Sequence, residues 1–195
     1  MLIRKLIDAL SLLHPLSLRY QAIIQVENPY HYRIIKRDTP VLMPGKDADE
    51  LSFICKGLFK LYRYNEGGEE MIFDFFYEGI FMMLPVDFYD GTRNELYYIS
   101  ALHDSELLTI NRAKMTELYA MFPEVKIQTD RIRSRISLRN MQHLNLLFTP
   151  ALDRYVLFLK LYPNVARWLT EIDICRFLGI SKKTLYRSKN DFSKW

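Results

Sequence analysis

Four cations fall within eight residues near the end of the chain: Lys182, Lys183, Arg187 and Lys189, interleaved with Thr184 and Tyr186 and preceded by Ser181. Ammonium and guanidinium groups at this density, flanked by hydroxyls, are suited to a polyanion. Arg or Lys can bond guanine O6 and N7 in the major groove of a duplex while neighbouring Lys, Ser and Thr hold phosphates. Lys182, Lys183 and Arg187 are expected to face bases or phosphates, with Ser181 and Thr184 on the backbone and Tyr186 and Lys189 on the same outward face.

Such side chains need a rigid mount, and the preceding residues spell one. Thr170 with Asp173 three positions later is a capping signature, so a helix should start there and bury Ile172, Ile174, Phe177 and Leu178. Gly179 should end it, because a tight turn between crossing helices needs positive φ and glycine adopts it without steric cost. Ser181 can cap the next helix by accepting from an orphaned backbone N–H. Small Cys175 allows the helices to approach, and Leu185 is the apolar anchor between them. Upstream, Leu152, Tyr155, Val156 and Leu159 recur at helical spacing from Ala151 to Leu161, before Tyr162-Pro163-Asn164 breaks the pattern.

Charge supports this division of labour. From Thr149 to Trp195 there are nine Lys/Arg against four Asp/Glu, whereas the rest of the chain is nearly balanced, and the whole carries +4. A basic tail on a near-neutral body points to a polyanion at the C-terminal end, a solvated charged surface being the plainer alternative.

Residues 124–148 contain neither Gly nor Pro, and as a helix they would extend about 37 Å at 1.5 Å per residue. Val125, Ile132, Ile136, Asn140, Leu144 and Leu147 form a narrow stripe among Arg131, Arg133, Arg135 and Arg139. That pattern predicts a dimerisation helix paired with a second copy, the alternative being a helix packed on its own N-terminal domain.

Before this helix the period changes to two. Strands are expected at Tyr32–Lys36, Pro40–Met43 and Leu51–Tyr64, then beyond the Asn65-Glu66-Gly67-Gly68 turn, and at Glu95–Leu102 and Glu106–Ile110. On the strand after that turn Met71, Phe73 and Phe75 should face one way and Ile72, Asp74 and Phe76 the other. Residues 1–13 read as an amphipathic helix. The reading is therefore α+β: an N-terminal β-sandwich or jelly roll (1–123), the long helix (124–148) and an all-α helix-turn-helix (149–195).

Other function classes find little support. The chain has no G-x-S-x-G, no phosphate-cradling Gly-rich loop and no H-E-x-x-H, so no enzyme is expected. His14, His31, His103 and His143 are scattered singly, and neither haem nor metal is expected on them. Cys55 and Cys175 are too few for a disulfide framework and fit a reducing cytoplasm. The longest apolar run, Gly79 to Val86, is far below the roughly 20 residues of a membrane span.

The order of parts resembles the Crp/Fnr family of bacterial regulators over nearly the whole chain. The matching segments are His14-Pro15-Leu16-Ser17, Phe53-Ile54-x-x-Gly57-Leu58-x-Lys60, Gly67-Gly68-Glu69-Glu70, and Arg154-Tyr155 through Pro163 to Leu178-Gly179-Ile180-Ser181 and Thr184-Leu185-x-Arg187. The resemblance implies a cyclic-nucleotide-binding-like, double-stranded β-helix jelly roll, a homodimer formed through the long helix, a winged-helix-like C-terminal domain whose wing is short or absent because only eight residues follow Arg187, and operator DNA as target. RNA polymerase is a further partner such a regulator would meet.

Departures from the family pattern narrow the expectation. Where members that bind cyclic nucleotides place Gly-Glu for the ribose and Arg with a small hydroxyl residue for the phosphate, this chain aligns Met83-Leu84 and Glu95-Leu96. Met and Leu offer an anion no donors and Glu repels it, so loss of cyclic-nucleotide binding is expected unless Arg93 compensates from a shifted loop. A different small-molecule effector stays open. The pair that opens the reading helix is Lys182-Lys183 rather than basic–acidic, and Tyr186 precedes Arg187, so base preference should differ from the family's. The competing reading is an effector-binding or protein-interaction module whose DNA-binding part has degenerated.

Overall fold

The structure, a computed structural model, describes residues 2–192. Two compact units emerge: residues up to Lys60 with Phe76–Ile136, and Leu61–Phe75 with Ser137 onward.

The chain opens with helices α1 (Leu2–Leu13) and α2 (Leu18–Val26), then runs through β1 (His31–Ile35), β2 (Pro40–Leu42), β3 (Lys46–Asp47), β4 (Glu50–Lys56), β5 (Leu58–Tyr64), β6 (Glu70–Tyr77) and β7 (Phe81–Met82). Helix α3 (Pro85–Asp90) precedes β8 (Arg93–Asn94), β9 (Tyr98–Ala101) and β10 (Ser105–Asn111), and α4 (Arg112–Met121) leads into α5 (Pro123–Phe148). The strands form two four-stranded sheets, ordered β1-β10-β4-β7 and β2-β9-β5-β6, with β3 pairing β8. This is the jelly roll, one of the two architectures the period-two pattern allows and the one the resemblance implies. In the first sheet β10 lies antiparallel between β1 and β4, with Leu108 opposite Tyr32 and Phe53, and a bulge at Glu106/Leu107 shifts its register on β4.

The strand expected over Leu51–Tyr64 is two strands, because the chain breaks at Gly57. Its φ is +115°, and a Cβ there would lie 2.0 Å from Ser105 Oγ and 2.9 Å from the Ser105 backbone. No side chain fits between these strands. Helices α2, α3 and α4 were not anticipated, although their start signals are present: Ser17 Oγ accepts from Tyr20 N, Pro85 opens α3, and Asn111 Oδ1 accepts from Lys114 N.

Leu6, Ile7, Leu10 and Leu13 of α1 are buried with Leu51, Phe53 and Cys55 of β4, Leu108 and Ile110 of β10, and Met115 and Leu118 of α4. Val125, Ile132 and Ile136 of α5 belong to the same core, so this part of the expected dimer stripe packs on its own domain instead. Polar contacts fix that packing. α5 supplies donors to carbonyls at and just beyond the end of α1, where intrahelical partners run out: Gln128 Nε2 donates to His14 O at 3.0 Å and makes a longer 3.4 Å bond to Leu10 O, which also accepts from His14 N, and Arg131 donates to Leu13 O. Asn140 and Leu144 are exposed and Leu147 half-buried. A second apolar stripe lies opposite the buried one: Ile127, Leu138, Met141 and Phe148 are exposed, Phe148 by 86%, and fall within about 80° of one another at 100° per residue. Ser134 and Asn145 interrupt it in sequence, which hid it behind the more continuous core stripe.

The second unit contains the far half of the β5–β6 hairpin, the C-terminal half of α5, α6 (Arg154–Leu161), the short α7 (Pro163–Ala166), α8 (Glu171–Leu178) and α9 (Lys182–Phe192). On β6 Ile72 and Asp74 are buried and Met71 is exposed, as the alternation requires, but Phe75 is also buried, against Phe177 with ring centroids 4.9 Å apart. In α6 the expected stripe of Tyr155, Val156 and Leu159 is only half-buried and Leu152 is exposed, because the helix starts at Arg154 and turns Phe158 inward. Phe158 and Tyr162 pack on Phe177 at 5.8 and 5.3 Å.

Two polar groups from α5 enter this core. Arg139 forms an ion pair with buried Asp74 at 3.0 Å; burial pushes the Asp74 carboxyl up and the guanidinium pulls it back. One turn later His143 stacks on Phe177 at 4.0 Å with the ring planes nearly parallel at 6°, and its Nε2 lies 2.8 Å from Phe177 O. The neutral ring therefore carries its proton on Nε2 and donates it to that carbonyl.

Burial lowers the His143 pKa below the ordinary 6.5. The unfolded chain then binds more protons than the folded one between the two values, so stability is complete above about pH 6.5 and is lost as pH falls toward the folded pKa. Raised Asp74 has the opposite sense, with stability lost as pH rises above 3.8, so the comparison must isolate the imidazole. Urea midpoints at about pH 7.5 and about pH 5.5 should fall on acidification by more in the wild type than in His143→Gln. Equal falls in the two proteins would show that His143 does not carry this dependence.

Candidate nucleic-acid interface and sensor cavity

The mount expected around Gly179 is present in detail. Thr170 Oγ1 accepts from Asp173 N at 3.2 Å and Asp173 Oδ2 accepts from Thr170 N at 3.3 Å, a complete capping box at the start of α8. At the other end Gly179 has φ 60° and ψ 40°, with its N–H donating to Cys175 O. A Cβ at Gly179 would meet nothing closer than 3.5 Å, so backbone conformation rather than space calls for glycine. The turn is also held from outside: Arg154 Nη1 donates to Leu178 O at 2.8 Å and Nε to Thr149 O at 2.9 Å.

Ser181 Oγ accepts from Thr184 N at 3.1 Å and lies 2.9 Å from Thr184 Oγ1, capping α9 as expected. Leu185 is wholly buried, and Ser188, missed in the sequence, is buried and donates to Leu152 O. These two inward residues fix which face of α9 points out. Ile172, expected in the core, is 45% exposed because the burial stripe of α8 runs through Ile174, Cys175, Phe177 and Leu178.

The outward face carries Lys182, Lys183, Tyr186 and Arg187. Lys182, Lys183 and Arg187 make no hydrogen bond or ion pair among the described residues, and they follow a helix N-terminus whose partial positive charge adds to theirs. Lys189 differs from the expectation. It is half-buried, with Nζ 2.6 Å from Glu171 Oε1, and Tyr186 donates its hydroxyl to Glu171 Oε2 at 2.8 Å. Glu171 sits four positions before Cys175 on α8, where sequence spacing alone gave no signal that it would reach the following helix. Among the described residues no strand follows α9, and residues 193–195 of the expected wing segment lie outside them.

The first unit holds a cavity of about 350 Å³. Its walls include Val41, Leu42 and Met43 beside β2, Ser52 of β4, Ile99 of β9, and Met82, Met83 and Leu84. Met83 and Leu84, two of the expected effector residues, therefore do face it. Arg93, Glu95 and Leu96 do not. All three are exposed, and β8 pairs with β3 so that Arg93 lies 3.7 Å from Asp47. Two cations line the cavity, Arg33 and Lys46, against Asp47, Asp49 and Glu50, and Arg33 is already bonded to Glu50 at 2.6 Å. A phosphate finds no buried cation to receive it.

Among the described residues no helix is long and apolar enough to cross a membrane, and no group of three or more His, Cys, Asp or Glu could hold a metal. Residues 32–121 match the family model of the cyclic nucleotide-binding domain. No curated protein matches the chain by sequence. Solved structures do. FixK2 from Bradyrhizobium japonicum is 16% identical with a TM-score of 0.74, covering 85% of each chain. The c-di-GMP responsive global regulator CLP of Xanthomonas campestris is 18% identical at 0.68, covering 90% of this chain and 92% of its own. A protein assigned as a transcriptional regulator of the crp/fnr family from Eubacterium rectale is 15% identical at 0.72, covering 95% and 88%. By its jelly roll and helix-turn-helix, and by these comparisons, the chain is similar to the cyclic nucleotide-binding domain over residues 32–121 and shares, over most of its length, the fold of solved structures that include a regulator of the crp/fnr family.

Proposed function

We propose that this protein is a DNA-binding transcription regulator that acts as a twofold dimer. The observation that carries the reading is the outward face of α9, where Lys182, Lys183 and Arg187 stand exposed behind a turn fixed by Gly179. A helix so mounted fits the major groove with its N-terminal residues toward the bases. The solved neighbours described as regulators share this architecture, which supports the assignment of the fold's C-terminal unit to DNA.

The dimer seam is assigned to the exposed stripe Ile127, Leu138, Met141 and Phe148, not to the stripe that the N-terminal core has taken. Exposed apolar residues along one side of a long helix are stabilised by a partner helix. Twofold pairing places two reading helices on successive major grooves of a palindromic site.

The sensor cavity is assigned to an effector other than a cyclic nucleotide. Burying a phosphate beside Met82, Met83 and Leu84, with lining carboxylates outnumbering cations, costs several kcal/mol or more without a paired charge.

Three measurements follow. Lys182→Ala with Arg187→Ala should flatten the dependence of log affinity on log salt for promoter fragments by about 2 and weaken binding about tenfold or more, since each lost phosphate contact removes about 0.9 from the slope. Intact binding by the double variant would show that another surface meets DNA, or that the chain is an effector or protein-interaction module. Met141→Arg with Leu138→Arg should shift sedimentation from dimer to monomer; an unshifted dimer would place the seam elsewhere. Isothermal titration with cyclic AMP and cyclic GMP should show no micromolar binding, and heat at micromolar concentrations would overturn the assignment.

A further inference from the structure

The α8–α9 pair carries a three-way contact that the function so far leaves unused. Both oxygens of the Glu171 carboxylate are engaged by α9: Oε1 with Lys189 Nζ at 2.6 Å and Oε2 with the Tyr186 hydroxyl at 2.8 Å. Lys189 Nζ also lies 5.7 Å from the Tyr155 ring centroid and 5.9 Å from that of Tyr186. The ammonium is thus enclosed by a carboxylate and two aromatic rings. Glu171 is held below the usual carboxylate range by Lys189 and by Tyr186, and the lysine and the phenol are raised in turn by Glu171. Charged forms are favoured at both ends of the ion pair.

Two consequences bear on DNA reading. First, a lysine already neutralised and caged contributes less to counterion release than a free one, so α9 presents three free cations rather than the four its sequence suggests. Second, a tyrosine whose hydroxyl proton is donated inward cannot donate it to a base. Tyr186 remains 51% exposed, so what it offers a base pair is chiefly its ring, and an apolar surface in the major groove meets the C5-methyl of thymine.

Resting on the DNA-binding reading above, we propose that Glu171 is a positioning residue for DNA recognition: it withholds Lys189 from phosphate and pins Tyr186 so that the ring, not the hydroxyl, reads a thymine methyl. The pairing makes Glu171 a specificity determinant, although it need not touch DNA.

The test uses the full chain and measures salt dependence of duplex binding for wild type, Glu171→Gln, Lys189→Ala and the double variant, together with selection from a randomised duplex library for wild type, Tyr186→Ala and Glu171→Ala. Glu171→Gln should steepen the slope by about 0.9, one released phosphate-binding lysine. Lys189→Ala alone should leave the wild-type slope unchanged, and the double variant should return to it. A carboxylate acting only by repelling DNA would change the slope equally with and without Lys189, which overturns the proposal. A slope that falls by about 0.9 in Lys189→Ala would also overturn it, since Lys189 would then already lie on phosphate. In the library the wild type should prefer thymine at one position per half-site. Tyr186→Ala should abolish that preference and Glu171→Ala should weaken it at the same position. Unchanged preference in both overturns the second half of the proposal. If the wild type binds no DNA even at low salt, the failure lies in the functional reading itself. If it binds and these variants leave slope and preference untouched, the failure is Glu171's alone.

Discussion

Phe177 is the residue on which the helix-turn-helix of this protein depends. Its ring is enclosed by Phe75, Phe158, Tyr162 and the His143 imidazole, and its carbonyl accepts from His143. Two residues later the backbone must turn through positive φ at Gly179. The turn can be tight and reproducible because the residue before it cannot move: an aromatic side chain filling a packed core tolerates little displacement. Arg154 adds donors to the carbonyls on either side of that point, so few backbone acceptors there are left to water. The direction of α9, and with it the placing of every cation it displays, follows from this anchorage.

Polar burial in the second unit is concentrated where it specifies geometry. Asp74 and Arg139 form an ion pair that burial makes costly, and such pairs contribute little net stability compared with apolar residues of similar volume. What they do is select an arrangement: an unpaired charge at either position would be heavily penalised, so hairpin and helix have one satisfactory register. In the first unit the same logic appears in milder form, where Gln128 and Arg131 satisfy the open carbonyls at the end of α1.

The helix-turn-helix was legible because its signals are local. Thr170, Asp173, Gly179 and Ser181 each act within a turn or two of sequence, and the structure places each as expected. The jelly roll was legible as a class, since alternation marks strands, but Gly57 needed Ser105 across the sheet to explain its break. Contacts between residues distant in sequence escaped. The stripe on α5 was seen, yet whether Val125, Ile132 and Ile136 meet a partner or their own core depends on α1 and β10. Arg93 was near Glu95 in sequence, but it is exposed beside Asp47 and does not itself line the cavity. Lys189 counted as one more outward cation until Glu171, eighteen residues earlier, was found beneath it.

The path of the backbone has a consequence for modularity. The chain passes from one compact unit to the other after Lys60, back after Phe75, and over again after Ile136. The C-terminal unit is therefore not a contiguous segment: Asp74 and Phe75, which complete its interior, arrive from the middle of the sequence. A single cut within α5 would sever the C-terminal unit from part of its own interior, leaving Arg139 without its carboxylate and Phe177 without one of its walls. Moving this unit into another protein requires transplanting two pieces of sequence together.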